Sequence, residues 1–192
     1  SSSSAASDVY KRQGRMCKIA PIRWLVKIYI SIVRGTPLML QVMAIYFGPS
    51  YLLKIQISRD YRFYAVIISF VLNYAAYFAE IYRSGIESMP RGQYEAANML
   101  GYNKAQTFMK IILPQVIKRI LPSITNEVIC LVKDTSLAFS IAYMEMFSIA
   151  KQIASSTSSL TPFFVAGVFY FVFNALVAWI MGLIEKKLSY YR

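Results

Sequence analysis

Histidine is absent from this chain of 192 residues, and cysteine occurs only at Cys17 and Cys130. The commonest general acid–base group and metal ligand of proteins is therefore missing. Two cysteines without a C-x-x-C spacing indicate neither a zinc site nor a disulfide framework. The sequence also lacks the phosphate-binding loop pattern G-x-x-x-x-G-K-S/T. We therefore expect no catalytic residue, no metal site and no cofactor on this chain, and any ATP hydrolysis has to occur on another one.

Acidic residues are scarce: nine aspartates and glutamates stand against 21 lysines and arginines, which gives a net charge of +12. Hydrophobic residues make up 57% of the chain and charged residues only 16%. This composition is too apolar for an average soluble domain. We therefore predict an all-α integral membrane protein.

Long stretches with few charges predict where the chain crosses the membrane, because about 20 residues of helix span a bilayer. We predict four spans, at about 37–55, 62–86, 123–150 and 162–184. The last contains no charged residue. The third is interrupted by Glu127, Lys133, Asp134 and Glu145.

Basic residues lie in three blocks, which the positive-inside rule places in the cytoplasm. The blocks precede the first predicted span, separate the second from the third, and follow the last. The loops predicted to lie outside contain only Lys54, Arg59, Arg62 and Lys151. This distribution explains the net charge better than nucleic-acid binding does, and it predicts a cytoplasmic C-terminus.

The segment before the first span has two parts. Residues 1–13 are serine-rich and polar, and we predict that they are disordered or non-native, with the membrane domain covering 14–192. Residues 22–33 alternate apolar positions with Arg23 and Lys27, which predicts an amphipathic helix at the inner membrane surface.

A polar island lies between the second and third spans, at about 87–118. It is defined by Glu95, Ala96, Ala97, Gly101, Ile111, Leu113 and Pro114. Small alanines let a helix approach a partner, Gly101 permits a reversal of the chain, and Pro114 restricts the residue before it. The island therefore predicts a helix, a corner and a second helix, with Tyr94, Met99, Leu100 and Phe108 as largely apolar anchors.

This spacing resembles the EAA loop of permease subunits of bacterial ATP-binding-cassette (ABC) importers. Three further blocks resemble the polar amino acid uptake family, which includes histidine and glutamine permeases. They are Arg34-Gly35-Thr36-Pro37-Leu38, Ala79-Glu80-Ile81 with Arg83 and Gly85, and Asn126-Glu127-Val128 with the run 131–137.

The resemblance implies a type I ABC importer transmembrane domain in the bacterial inner or plasma membrane. It implies as partners a second permease subunit, two ATPase subunits that carry ATP and Mg²⁺ and bind the EAA loop, an extracytoplasmic solute-binding protein, an amino acid and lipid. Family members usually begin with one more transmembrane helix, so we expect an N-terminally truncated chain of a five-span subunit; natural variation in helix number is the alternative.

Glu127 and Asp134 need a reason to lie in a span, because each charge costs about 2.5–3.5 kcal/mol there. Seven residues are nearly two helical turns, which places both carboxylates on one face about 10 Å apart. We expect them to line the path and favour a cationic amino acid, with Arg34 as a further substrate-binding residue. In the structural alternative, Asp134 pairs with Lys133, Arg34 or Lys118, and Arg34 pairs with Glu80. We also expect Glu80 and Arg83 to form an i,i+3 pair.

Two other functions compete with the importer. An ion-coupled secondary amino acid transporter would also use intramembrane acids, but the sequence shows no paired repeats and such a protein has no need of an EAA loop. A membrane enzyme would need a nucleophile or metal ligand beside Glu127 and Asp134, and the sequence provides none.

Overall fold

The computed structural model describes residues 20–54 and 56–188; the stretch 1–13 lies outside them. Every regular element in the described part is helical, which confirms the all-α prediction. The elements are α1 (Ala20–Gly35), α2 (Leu38–Leu53), α3 (Tyr61–Glu87), α4 (Arg91–Met99), the short α5 (Lys104–Gln106), a π-helical segment (Thr107–Ile112), α6 (Leu113–Asp134), a 3₁₀ helix (Thr135–Ile141), α7 (Met146–Thr157) and α8 (Thr161–Leu188).

A sharp bend of 110° separates α1 from α2. Pro37 stands at the start of α2 with an extended backbone, a position where its missing N–H costs least. Gln41 Nε2 donates to the Val33 carbonyl (2.8 Å) and to the Thr36 carbonyl (3.1 Å), so a side chain of α2 binds the end of α1. Asn73 Nδ2 of α3 donates to Gln41 Oε1 at 3.0 Å. Hydrogen bonds from Gln41 of α2 and Asn73 of α3 therefore hold the bend in place.

The first core cluster joins α2, α3 and the 3₁₀ helix. Its buried members are Leu38, Val42, Ala65, Phe70, Tyr74 and Ile141. Apolar residues from three elements close this cluster, so the 3₁₀ helix is held against both α2 and α3.

The second core cluster lies at the other end of α3. Its buried members are Met89, Ile112, Val116 and Ile120, and Tyr94 and Phe108 pack against it. Gly85 lets α3 approach α6 closely, because a Cβ at this position would overlap Ile120 Cγ2 and lie 3.2 Å from Val116 Cγ1. The guanidinium of Arg119 closes the end of α3 by donating to the Ser88 carbonyl at 2.5 Å.

Within the described residues, two helices are long and apolar enough to cross a membrane by themselves, α3 and α8, and the bent pair α1–α2 is a third candidate. Only 6% of the most apolar window of α8 is buried within the chain, which suits a lipid or protein environment around it. The ranges 37–55, 62–86 and 162–184 fall on α2, α3 and α8. The number of crossings stays a prediction.

The range 123–150 is not one helix, which corrects the expected third span. α6 ends at Asp134, the 3₁₀ helix follows, and Ala142 has a left-handed backbone with φ 55°. Glu145 then caps α7, because its carboxylate accepts hydrogen bonds from the backbone N–H groups of Phe147 and Ser148, both at 2.6 Å. This acid therefore begins a new helix instead of interrupting a span.

Replacing Gly85 with alanine should destabilise the α3–α6 crossing by about 1–3 kcal/mol, because the added methyl group has no room beside Ile120. The measurement is the midpoint of thermal unfolding in detergent. Gly182→Ala in α8 is the matched control, since a Cβ there meets nothing within 4 Å. Equal midpoints for the two variants would contradict the close crossing.

Candidate functional site

A polar stripe on α6 faces α3 in the middle of the bundle. The Tyr74 hydroxyl of α3 donates to Asp134 Oδ2 at 2.8 Å. Glu127 and Cys130 lie seven and four positions before Asp134 on α6. These three α6 residues are spaced by three and four positions, which is the spacing of one helix face. Asp134 contacts α3, and Glu127 lies on the same face of α6 two turns earlier.

Arg34 lies at the end of α1, beside α3. Its guanidinium lies 3.7 Å from Glu80 Oε1 and 5.6 Å from the centre of the Tyr77 ring. Glu127 is within electrostatic range of both Arg34 and Asp134. Arg34 therefore forms the ion pair with Glu80 that the structural alternative expected, and the binding of substrate by Arg34, Glu127 and Asp134 stays a prediction.

Glu80 is shared between two arginines. Arg83 donates to both Glu80 oxygens, one of them at 3.1 Å, and also donates to Glu87 at 3.1 Å. The expected i,i+3 pair is present. Since Arg83 is largely exposed, this cluster is worth little as a source of stability, but it holds the Glu80 carboxylate in place beside Arg34.

The hydrogen-bond partner of Asp134 is a finding that the sequence did not predict. Lys133, Arg34 or Lys118 was the expected partner, whereas the donor is the hydroxyl of Tyr74. The chain has 15 tyrosines, most of which fit an aromatic belt at the membrane interface, so nothing in the sequence distinguishes this one.

Arg62 ties together three elements at the far end of α3. Its Nε donates to Tyr46 Oη of α2 at 3.1 Å, and its Nη1 donates to the Ala142 carbonyl at 3.2 Å. A basic residue in a loop predicted to lie outside is thus used for a structural contact, which accounts for its presence against the positive-inside trend.

The polar island forms the helix, corner and helix that its spacing predicted. Gly101 follows α4 with φ 77°, and the backbone N–H groups of Tyr102 and Gly101 donate to the carbonyls of Ala97 (3.1 Å) and Asn98 (3.0 Å). These two bonds are the Schellman motif that ends a helix with a left-handed residue. Asn103 and Gln106 then form a capping box that begins α5.

The predicted coupling residues divide into an exposed group and a buried one. Glu95 and Ala96 are exposed, whereas Ala97 is only 1% exposed and packs inside the chain. The expectation that both alanines remove bulk at a partner surface is therefore corrected for Ala97. Ile111 and Leu113 are half-buried and Pro114 is exposed.

The four predicted anchors divide in the same way. Met99 and Leu100 are 89% and 74% exposed beside the corner. Tyr94 and Phe108 instead pack against the second core cluster, where burial raises the pKa of the Tyr94 hydroxyl. The outward-facing part of the island is therefore Glu95, Ala96, Met99 and Leu100.

Pro114 does not end a helix. The helical path continues from α5 through the π-helical segment into α6, and Pro114 lies in the first turn of α6. Within an α-helix, a proline lacks the N–H that the helix needs, and its ring clashes with the carbonyl four residues earlier. The wider π-helical turn just before Pro114 gives the proline ring space. Gln115 Nε2 donates to the Ile111 carbonyl at 2.9 Å.

A helical chain with apolar crossings, charged residues between them and an exposed helix-and-corner segment has the architecture of a membrane permease. Residues 18–190 match the family of binding-protein-dependent transport system inner membrane components, and the chain belongs to this family. It is a permease subunit of an importer whose ATPase is a separate subunit.

Curated relatives agree with this family. The arginine transport system permease protein ArtQ of Bacillus subtilis is 38% identical over 91% of this chain and 80% of its own. The putative glutamine transport system permease protein GlnP of Rickettsia bellii is also 38% identical, over 90% and 80%. The L-cystine transport system permease protein TcyL of Bacillus subtilis is 38% identical over 91% and 75%.

Solved structures support the fold. A crystal structure of an amino acid ABC transporter with histidines matches with a TM-score of 0.80 and 32% identity, over 93% of this chain and 82% of that one. The MetNI methionine ABC transporter in an inward-facing conformation matches with a TM-score of 0.71 at 17% identity, over 88% and 76%, which shows the fold alone. The chain therefore has the type I importer fold.

Replacing Gly101 with alanine should cost about 1 kcal/mol of stability, because a left-handed backbone is unfavourable for a residue with a Cβ. Gly101→Asn should cost less, since asparagine tolerates this conformation. Gly92→Ala, within α4 and in open space, is the control. Thermal unfolding in detergent measures all three; a Gly101→Ala protein as stable as Gly92→Ala would contradict the corner geometry.

Proposed function

We propose that this permease conducts polar amino acids, with a preference for basic ones, across the bacterial cell membrane. The relatives are named for arginine, cystine and glutamine transport, which supports amino acids as the substrate class. The ion-coupled alternative has no support from the family, whose members depend on a binding protein.

The charged residues Arg34 at the end of α1 and Glu127 and Asp134 on α6 carry the substrate proposal. An amino acid has a carboxylate and an ammonium, and Arg34 and Glu127 offer the opposite charges within electrostatic reach of each other. Arg34 has five N–H donors and its side chain is 44% exposed, so its pair with Glu80 leaves donors for a substrate carboxylate. Asp134 provides a second negative charge on the same face for a cationic side chain.

We place the crossings at α2, α3, α6 with its 3₁₀ extension, and α8. Lys186 and Lys187 in the last turn of α8 support a cytoplasmic C-terminus. In this arrangement the polar island and both ends of the chain's membrane domain share the cytoplasmic side, where an ATPase works.

The exposed part of the polar island is the proposed docking surface for an ATPase subunit. Met99 and Leu100 offer an apolar pair that a groove of a partner would bury, and Glu95 offers a charge beside it. ATP and Mg²⁺ bind on that partner. The assembly comprises two permease subunits, identical or homologous, two ATPases, and an extracytoplasmic solute-binding protein.

The second core cluster connects this surface to the path. Ala97 and Tyr94 seat α4 inside the chain, and Ile111 and Leu113 lead directly into α6. Helix continues from Lys104 to Asp134, so a displacement at the docking surface moves the element that bears Glu127. Packed interiors transmit such displacements because they deform little.

Glu95→Lys should lower substrate-stimulated ATP hydrolysis by the reconstituted transporter at least tenfold, because it reverses a charge on the docking surface. The protein should still insert into membranes, since Glu95 is exposed. Glu185→Lys makes the same change at an exposed site near the end of α8 and should leave the ATPase rate unchanged. Normal coupling in Glu95→Lys would contradict the docking proposal.

Glu127→Gln and Asp134→Asn should each raise the KM for arginine uptake about tenfold, because each removes a negative charge and leaves only a weaker, neutral hydrogen-bond acceptor for the cationic substrate. Uptake into vesicles that contain the complete transporter measures this effect. Uptake of neutral glutamine should be less affected by Asp134→Asn than by Glu127→Gln, since only Glu127 is assigned to the α-ammonium. Unchanged import of arginine, lysine and histidine by both variants would refute the proposed path.

A further inference from the structure

Tyr74 occupies an unusual position for a tyrosine in a spanning helix. Its side chain is only 5% exposed, and its hydroxyl ends at Asp134 Oδ2. The ring is packed between Phe70 and Phe78, each with its centre 6.3 Å away. Since the ring belongs to the first core cluster, its orientation is set by apolar packing, and the hydroxyl has a fixed place.

Asp134 shares its helical path with a second acid. It is the last residue of α6, and the 3₁₀ helix continues directly from it. A second carboxylate, Glu127, senses its charge from two turns away. An acid kept at this place needs a donor, and arginine or lysine would be the strongest choice.

The donor is neutral instead, which leaves the charge of Asp134 in place. Other acids of this chain have different partners. Glu80 and Glu87 bind the cationic Arg83, and Glu145 accepts hydrogen bonds from two backbone N–H groups at the start of α7. Among the hydrogen bonds within residues 20–54 and 56–188, Asp134 is engaged through Oδ2. Its other oxygen and its net charge are thus available to a cation.

We infer that Tyr74 is a positioning residue for cationic substrates: it fixes the carboxylate of Asp134 without neutralising it. This inference rests on the proposed function, since it presumes that Asp134 faces the path. A lysine or arginine at position 74 would also orient Asp134, but it would cancel the charge that attracts a basic amino acid. A phenylalanine would keep the packing and lose the orientation.

The test compares Tyr74→Phe with wild type in vesicles that contain the complete transporter, with arginine and glutamine as probes. We expect the KM for arginine to rise about tenfold, as for loss of a hydrogen bond to a charged group, and the KM for glutamine to stay within twofold. Tyr82→Phe, on the exposed part of the same helix, is the matched control. Protein levels in the membrane and thermal unfolding show whether Tyr74→Phe is folded.

A double-mutant cycle separates positioning from a general structural role. If Tyr74 acts through Asp134, then Tyr74→Phe should have no further effect on arginine KM in the Asp134→Asn protein. Additive effects, or equal losses for arginine and glutamine, would overturn the inference. An Asp134→Asn protein with normal arginine KM would refute the proposed role of Asp134 in the path, whereas a defect in Asp134→Asn combined with a normal Tyr74→Phe protein would refute only the role of Tyr74.

Discussion

The close crossing of α3 and α6 is the constraint on which the rest of this structure depends. At one end, Gly85 lets the two helices touch at Ile120, and this contact belongs to the core cluster that seats the polar island. Midway, Tyr74 reaches Asp134 at the end of α6. Beyond it, Arg62 of α3 binds the Ala142 carbonyl after the 3₁₀ helix. α3 thus serves as a support along which α6 and its extension are fixed.

This support makes intramembrane charge tolerable. Burial of an unpaired charge is expensive, and the structure meets that cost differently at each site. Arg34 has a carboxylate and an aromatic face, whereas Asp134 has a hydroxyl held by its own packing. The result is a set of opposite charges that are oriented but not fully cancelled, as the proposed binding of a basic amino acid requires.

The polar island and the charged stripe are connected through one helical path, in which the π-helical segment joins α5 to α6. Pro114 would break a regular α-helix at this place, yet the wider turn before it lets the helical path continue. Gly101 meanwhile allows α4 to fold back and bury Ala97 against the chain. The exposed corner is therefore linked to the stripe through packed core and continuous helix, as the proposed coupling requires.

The sequence by itself determined the helical membrane class, the corner at Gly101 and the shared face of Glu127 and Asp134, because composition, backbone freedom and helical spacing are local properties. Only the tertiary structure decided that the range 123–150 is divided, because glutamate is not a preferred capping residue and Glu145 therefore gave no clear signal. It also decided that Ala97 faces inward and that Tyr74 binds Asp134. Those outcomes depend on which helices meet. Tyr74 and Asp134 are 60 positions apart, and no helical periodicity predicts a contact between residues so distant in the sequence.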